Sequence, residues 1–169
     1  MMTLYLDMDG VLVDFFGGLE KHFDVPHWKQ IPKTEESIMA LKGTDFFNKL
    51  EPYPSSNELV NFVINLVGEN GWGICSSPLR GDRDNSAYWK RVWLTRHFIM
   101  PKVENLIFTG RKEQYAMDKI DGTPNVLIDD KPDNVGRWTA KGGIGIRYQA
   151  NQDSLVTLKQ KLIGIVEKS

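Results

Sequence analysis

Two aspartates, Asp7 and Asp9, lie in the run DMDGVLVD at residues 7–14, directly after the apolar stretch Leu4-Tyr5-Leu6. That stretch predicts a β-strand, so both acids fall just past its carboxyl end, and Gly10 lets the chain turn closely around a small anion. Two carboxylates this close repel each other unless a cation lies between them or one of them is protonated. A magnesium-dependent site in which one acid attacks and the other transfers a proton satisfies both conditions. Taken alone, the run is also compatible with a plain acidic turn or a helix N-cap.

Three further groups with suitable chemistry follow along the chain. Ser76 and Ser77 end a second strand-like run, and their hydroxyls could donate to a phosphate oxygen without adding charge. Lys90 lies on the helix predicted next, where a lysine is usually a solvated surface residue but could balance the charge of the acids. Asp129 and Asp130 end the run Leu127-Ile128-Asp129-Asp130, and adjacent carboxylates after an apolar strand favour a metal site.

Strand-like and helical patterns alternate along the chain, which predicts an α/β fold with a doubly wound, mostly parallel sheet. Each group named above follows a strand or its loop, so the groups should meet in one crevice at the carboxyl ends of the strands. The predicted strands are Leu4–Asp7, Trp72–Ser76, Leu106–Thr109, Val126–Asp129 and Ile144–Tyr148. The predicted helices are Asn57–Val67, Ser86–Phe98, Pro132–Ala140 and Asp153–Glu167.

One segment interrupts this alternation. Residues 15–56 are rich in proline and aromatic residues and are too long for a simple connection between a strand and a helix. We therefore expect a core at residues 1–14 and 57–169 and a small, mainly helical cap insertion at residues 15–56. Most of its aromatic side chains are expected to form the insertion's own core. Phe15 directly follows the acidic run and is expected near the mouth of the site.

Composition excludes several classes of protein. The chain has 169 residues, of which 41% are hydrophobic and 25% charged, as in an ordinary globular protein. A net charge of −1 argues against a broad surface for duplex nucleic acid, although a small nucleotide is still allowed. The single cysteine, Cys75, is typical of a reducing compartment, and neither a signal peptide nor a membrane-spanning run is evident. We expect a cytoplasmic monomer or homodimer with no membrane partner.

The order of these groups resembles the haloacid dehalogenase superfamily of phosphotransferases. In that resemblance DMDGVLVD matches the nucleophile motif, Ser76 the hydroxyl position, Lys90 the motif cation and Asp129-Asp130 the acidic motif. A narrower match is to the 5′(3′)-deoxyribonucleotidase family. The segments that carry it are DMDGVLVDFFGG, FFNKLEPYP at 46–54, ICSSP, YWKRVW and LIDDKPD.

The narrower resemblance implies a role for each matching residue. Asp7 would attack phosphorus and become an aspartyl phosphate, while Asp9 would protonate the leaving oxygen and then activate water. Ser76, Ser77 and Lys90 would hold the phosphate. Mg²⁺ would be bound by Asp7, the backbone carbonyl of Asp9 and Asp130, with Asp129 in support, and Phe15 would lie against the base. The sequence departs from the family at Leu41, near the expected position of a base-contacting tryptophan, where Trp28 could supply aromatic surface instead.

The resulting hypothesis is a magnesium-dependent phosphomonoesterase acting on (deoxy)nucleoside monophosphates. The alternative within the same chemistry is a phosphatase of sugar phosphates or another small phosphometabolite. A signalling receiver domain also combines acids, magnesium, a hydroxyl and a lysine, but its acceptor aspartate follows the third strand. A catalytically silent binding protein on the same fold is the remaining alternative, and a phosphate-release assay would distinguish it.

Overall fold

The computed structural model describes all residues from 1 to 169. Five strands form one parallel sheet: β1 (Leu4–Leu6), β2 (Trp72–Ser76), β3 (Leu106–Phe108), β4 (Val126–Asp129) and β5 (Ile144–Arg147). Their order is β3-β2-β1-β4-β5, so successive strands are added outward on both sides of β1. This confirms the predicted α/β fold, and it places the switch in strand order, where such sheets bind ligands, beside β1.

Six α-helices connect and cover the strands. They are α1 (Phe15–Phe23), α2 (Thr34–Met39), α3 (Ser56–Val67), α4 (Arg83–His97), α5 (Pro132–Ala140) and α6 (Leu155–Glu167). Short 3-10 helices occupy Trp28–Gln30, Phe46–Lys49, Val103–Asn105 and Lys112–Tyr115. None of the helices has both the length and the apolar character needed to cross a membrane.

The start of α4 differs from the sequence-based prediction, which placed it at Ser86. The helix begins three residues earlier, at Arg83, and Ser86 is buried within its first turns. The Ser86 hydroxyl donates to the Asp82 carbonyl and accepts from the Leu79 amide, each at 2.8–2.9 Å. Ser86 therefore lies inside α4 and stabilises the preceding loop through its hydroxyl. It is not the N-cap of the helix.

Alternation along the central strands divides the interior between the two faces of the sheet. Leu4 and Leu6 point into the larger cluster of 25 buried apolar residues, which also receives side chains of α3 and α6. Tyr5 points the other way, into a five-residue cluster with Trp138 of α5. The central strands β1, β2 and β4 are thus buried on both faces, as expected for a parallel sheet covered by helices, whereas the edge strands β3 and β5 are partly exposed.

Segment 15–56 is mainly helical, as expected, and contains α1, α2 and two of the 3-10 helices. Its buried residues Leu19, Phe46 and Leu50 belong to the same apolar cluster as β1. The helix α1 begins after Asp14, whose carboxylate accepts a hydrogen bond from the Gly17 amide at 3.0 Å. The division into a core and a separate cap domain stays a prediction.

Candidate active site

A tight turn after β1 positions the first two acids. The Asp7 amide donates to the Ile128 carbonyl at 2.9 Å and so continues the pairing of β1 with β4. Gly10 follows with a φ of +86°, a conformation that side chains disfavour. A Cβ at this position would lie 2.3 Å from Oδ2 of Asp130. Glycine is required here because the turn brings the first acidic run against the second.

Lys112 links the nucleophile candidate to the second acidic run. Its Nζ lies 2.8 Å from Oδ1 of Asp7 and 2.6 Å from Oδ2 of Asp129. All three side chains are almost completely buried. Although burial disfavours a charged lysine, the carboxylates of Asp7 and Asp129 raise the pKa of Lys112 above its ordinary value. Lys112 is therefore a fixed positive charge directly beside Asp7.

Asp7, Asp129 and Asp130 form a cluster of acids whose donor oxygens lie within 4.8 Å of one another. Burial raises the pKa of Asp7 to about 8 against the opposing effect of Lys112, and neighbouring carboxylates add to the rise. Burial and the adjacent Asp129 raise the pKa of Asp130 to about 6. Oδ1 of Asp130 is buried without a hydrogen-bond partner. The cluster offers only hard oxygen ligands, the type that Mg²⁺ prefers, so its donor set fits that ion.

The two acids at the end of β4 do not follow simple strand alternation. Asp129 is the last residue of β4, and Asp130 already lies in the turn toward α5, so both can contribute an oxygen to the cluster. Strand alternation would turn only one of two adjacent residues toward the site, and these two residues depart from that rule. They still differ, because Asp129 accepts hydrogen bonds from Lys112, Asn134 and the Lys131 amide.

Lys90 is buried beneath Asp9. Its Nζ donates to Oδ2 of Asp9, to Oγ of Ser76 and to the carbonyl of Ser77, each at 2.9 Å. The ammonium also lies 4.8 Å from the ring centroid of Phe47. Because these three contacts use all three donors of an ammonium, Lys90 holds Asp9 and the end of β2 in place. That Lys90 holds phosphate directly stays a prediction.

The two serines lie in different surroundings. Ser76 is fully buried at the end of β2 and faces Lys90, whereas Ser77 is partly exposed and lines the cavity above the acids. Of the two predicted phosphate ligands, Ser77 is therefore the one that borders open space. Asp9 borders the same space, and its Oδ1 has no hydrogen-bond partner.

A cavity of about 540 Å³ opens over Asp7, Asp9 and Asp130. Its walls are largely apolar and include Phe15, Phe16, Trp28 and Phe47. Phe15 is half-buried and stacks on Phe47, with ring centroids 6.1 Å apart and planes 8° apart. Phe15 thus both packs within segment 15–56 and borders the cavity.

Leu41, the position considered for a base-contacting residue, is buried in the apolar cluster and does not line the cavity. Ile38 and Met39 line it from α2, and Trp28 does so as the sequence suggested. The aromatic surface that the expected tryptophan would supply is therefore provided by other residues of segment 15–56.

Sequence reasoning missed Lys112 and Asn134. Lys112 begins a 3-10 helix shortly after β3, and Asn134 donates to Oδ2 of Asp129 at 3.0 Å. The sequence does place Lys112 a few residues after the carboxyl end of a predicted strand, as it does the other candidate site residues. The sequence analysis predicts Lys90, and not Lys112, as the cation that balances the charge of the acids.

Comparisons with known proteins identify relatives of this chain by sequence. The family model described as 5′ nucleotidase, deoxy (pyrimidine), cytosolic type C protein matches residues 1–157. The mitochondrial 5′(3′)-deoxyribonucleotidase of Mus musculus is 31% identical over 156 residues, covering 80% of this chain and 67% of that protein. The Homo sapiens counterpart is 29% identical, and the match spans 64% of its length. The compartment of the present chain stays a prediction.

Among solved structures, a haloacid dehalogenase family enzyme from Bacteroides thetaiotaomicron aligns with 93% of this chain and 98% of its own. That protein is a mutant in complex with magnesium and inorganic phosphate. The TM-score is 0.44 and the sequence identity 13%.

Proposed function

This chain belongs to the deoxy (pyrimidine) cytosolic type C 5′-nucleotidase family and is a phosphoric monoester hydrolase; we propose that it hydrolyses (deoxy)nucleoside monophosphates through an aspartyl phosphate on Asp7, with Mg²⁺ as cofactor. The observation that carries this proposal is the buried Asp7–Lys112–Asp129 arrangement at the floor of an aromatic cavity. Residues 15–56 act in this proposal as the cap that encloses the nucleoside.

In the first half-reaction, a carboxylate oxygen of Asp7 attacks phosphorus, and the bond between phosphorus and the ester oxygen breaks. Lys112 offsets the negative charge of the phosphoryl oxygens beside Asp7, which a carboxylate nucleophile would otherwise repel. Asp9 donates a proton to the leaving oxygen. Because Oδ2 of Asp9 is bound to Lys90, Oδ1 is the oxygen available to carry that proton.

In the second half-reaction, Asp9 removes a proton from a water molecule, and the water oxygen attacks the phosphorus of the aspartyl phosphate. Phosphate leaves and Asp7 returns to its carboxylate form. Lys90 is a positioning residue in both steps, since its bonds to Asp9 and the Ser77 carbonyl fix the acid relative to the phosphate site. Ser77 donates its hydroxyl to a phosphate oxygen.

Asp7, Asp130 and the backbone carbonyl of Asp9 are proposed to hold Mg²⁺, with Asp129 orienting the site through Lys112 and Asn134. The ion supplies positive charge that stabilises the phosphoryl oxygens and keeps Asp7 ionised. Support comes from the unpartnered Oδ1 of Asp130 and from the all-oxygen ligand set.

Removal of divalent metal is expected to abolish phosphate release, and adding Mg²⁺ to metal-free protein should raise its melting temperature. At a Mg²⁺ concentration 100 times its dissociation constant, binding should add about 2.7 kcal/mol to the free energy of unfolding. Asp130→Ala should lose this stabilisation more completely than Asp129→Ala, because Asp130 has the free oxygen. The exposed Asp84 provides the control, Asp84→Ala, which should keep the full Mg²⁺ response. Activity that survives exhaustive chelation would contradict the proposal.

Replacing Phe15 with alanine should raise KM for nucleotides more than KM for p-nitrophenyl phosphate. Stacking of a base on an aromatic ring contributes about 1–3 kcal/mol, so the expected change for a nucleotide is roughly 5- to 150-fold. Phe23→Ala is the matched control, because Phe23 is a partly buried aromatic residue of the same helix that does not line the cavity. Equal losses on both substrates, with a lowered melting temperature, would indicate a purely structural role.

The proposed function itself is tested by measuring phosphate release from a panel of nucleoside monophosphates and sugar phosphates in Mg²⁺. We expect kcat/KM to be highest for a nucleoside monophosphate. Higher kcat/KM for a sugar phosphate than for every nucleotide would favour the alternative substrate class. The covalent step is tested with Asp9→Asn, which should accumulate phosphorylated Asp7 with a good leaving group.

A further inference from the structure

Phe47 of segment 15–56 contacts the lysine that holds Asp9. It lies in the 3-10 helix Phe46–Lys49, and its ring centroid is 4.8 Å from Nζ of Lys90. That distance is within the roughly 6 Å over which an ammonium and an aromatic face attract each other. The reaction steps described above give Phe47 no role, although its ring also lines the cavity over the acids.

The Lys90 ammonium is closed off from water. Its three hydrogens are directed to Oδ2 of Asp9, Oγ of Ser76 and the Ser77 carbonyl, and only 1% of the side chain is exposed. The buried Phe47 ring covers the ammonium without offering a hydrogen-bond acceptor. It therefore excludes water that would compete for these hydrogens, and the low local dielectric strengthens the bond from Lys90 to Asp9.

The helix that carries Lys90 also fixes the position of Phe47. Trp93 follows Lys90 by three residues on the same face of α4 and is fully buried. Its Nε1 donates to the carbonyl of Leu50, directly after the 3-10 helix, at 2.7 Å. Because one face of α4 holds both the ammonium and the segment that carries the ring, the contact between Phe47 and Lys90 is a fixed part of the fold.

We infer that Phe47 is a positioning residue for the general acid: its ring holds the Lys90 ammonium in place, and Lys90 in turn holds Asp9. This inference rests on the proposed mechanism, in which Asp9 protonates the leaving oxygen. Since Lys90 occupies Oδ2 of Asp9, Oδ1 is left without a partner beside the cavity. A ring that keeps water from Lys90 therefore keeps Oδ1 in position for the leaving oxygen. In this way segment 15–56 contributes to the chemical step as well as to enclosing the nucleoside.

The need for a general acid depends on the leaving group, and this dependence distinguishes positioning from packing. The p-nitrophenolate ion leaves without a proton, whereas the alkoxide of benzyl phosphate must be protonated as its bond to phosphorus breaks. Both esters carry one ring and no nucleobase, so contacts with a base do not enter the comparison. Displacing Asp9 should therefore slow the hydrolysis of benzyl phosphate selectively.

The test measures kcat/KM for benzyl phosphate and for p-nitrophenyl phosphate in Mg²⁺. In Phe47→Leu we expect the benzyl to p-nitrophenyl ratio to fall by about tenfold, a part of the roughly 10²- to 10⁴-fold that a general acid contributes. Phe47→Met, a second aliphatic replacement, should show the same fall. Phe46→Leu is the matched control, because Phe46 is equally buried in the same 3-10 helix but neither covers Lys90 nor lines the cavity. It should lower the melting temperature by a similar amount and keep the wild-type ratio.

Equal losses on both esters in Phe47→Leu and Phe47→Met would overturn the inference, since they would show a packing defect only. Asp9→Asn, measured over the first turnover, separates this failure from failure of the proposed mechanism, because it should lower the ratio further than Phe47→Leu does. If Asp9→Asn leaves the ratio unchanged, Asp9 is not the general acid, and the inference fails together with the mechanism. If both esters are hydrolysed but no nucleoside monophosphate is, the proposed substrate class fails, and the ratio in the Phe47 variants still decides the inference.

Discussion

Replacing Asp7 with asparagine is expected to reduce turnover by about 10⁴-fold or more, as the loss of a covalent nucleophile does elsewhere. An amide of the same shape cannot attack phosphorus, yet its oxygen can still lie against the Lys112 ammonium, which is 2.8 Å from Oδ1 of Asp7. The fold should therefore persist. Because the change removes one of several closely spaced carboxylates, we expect an equal or higher melting temperature in metal-free protein.

The measurements are phosphate release and thermal unfolding followed by circular dichroism. Asp133→Asn is the matched control, since Asp133 is an exposed acid of the same run as Asp129 and Asp130 and does not line the cavity. It should retain wild-type turnover. A well-folded Asp7→Asn protein with near-normal turnover would disprove the assignment of the nucleophile.

Lys112→Met is expected to have the second-largest effect, with a loss of about 10³-fold in kcat/KM, comparable to removing a charge-stabilising group in other enzymes. It should also destabilise metal-free protein by about 3 kcal/mol, because Asp7 and Asp129 would remain buried without their cation. Mg²⁺ should then raise the melting temperature of the variant by more than it raises that of the wild type. This larger response would separate a charge effect from a simple packing defect.

The exposed Lys102 provides the control, Lys102→Met, which should change neither activity nor the Mg²⁺ response. Lys112→Arg should fail to restore activity, since a planar guanidinium does not fit the nearly closed space that the ammonium occupies. Near-normal kcat/KM in Lys112→Met would show that phosphate charge is offset elsewhere, and Lys90 would then become the main candidate.

The sequence was sufficient to predict the sheet, because each strand is a short apolar run between helical patterns and the acids follow the strands directly. Local pattern also identified Asp7, Asp9, Asp129 and Asp130 as one group. It did not single out Lys112, since the 3-10 helix that carries it has no periodic apolar face and its place after a strand was the only sequence signal. Nor could it distinguish Ser76 from Ser77, because which hydroxyl borders the cavity depends on where β2 ends and on the buried position of Lys90.

Helix boundaries were less accurate where a side chain forms an unusual local bond. Ser86 has the chemistry of an N-cap, but its hydroxyl closes the preceding loop from within α4. Alternation also failed at Asp130, which lies one residue beyond β4 where the rule no longer applies. In both cases the position of the side chain depends on the geometry of a turn, which a periodic sequence pattern does not encode.

The central position of β1 constrains how the chain can fold. This strand belongs to the N-terminal end of the chain, yet one of its neighbours is β4, and the Thr3 amide binds the side chain of Asn125 across 122 residues. Contacts between such distant residues slow folding, because closing the long loop between them costs conformational entropy before the contacts can stabilise the chain. During synthesis β1 therefore cannot pair with β4 until most of the chain has left the ribosome. The nascent chain therefore cannot assemble the proposed site until β4 and Asp130 have been synthesised, and the edge of β1 that pairs with β4 stays open throughout that interval.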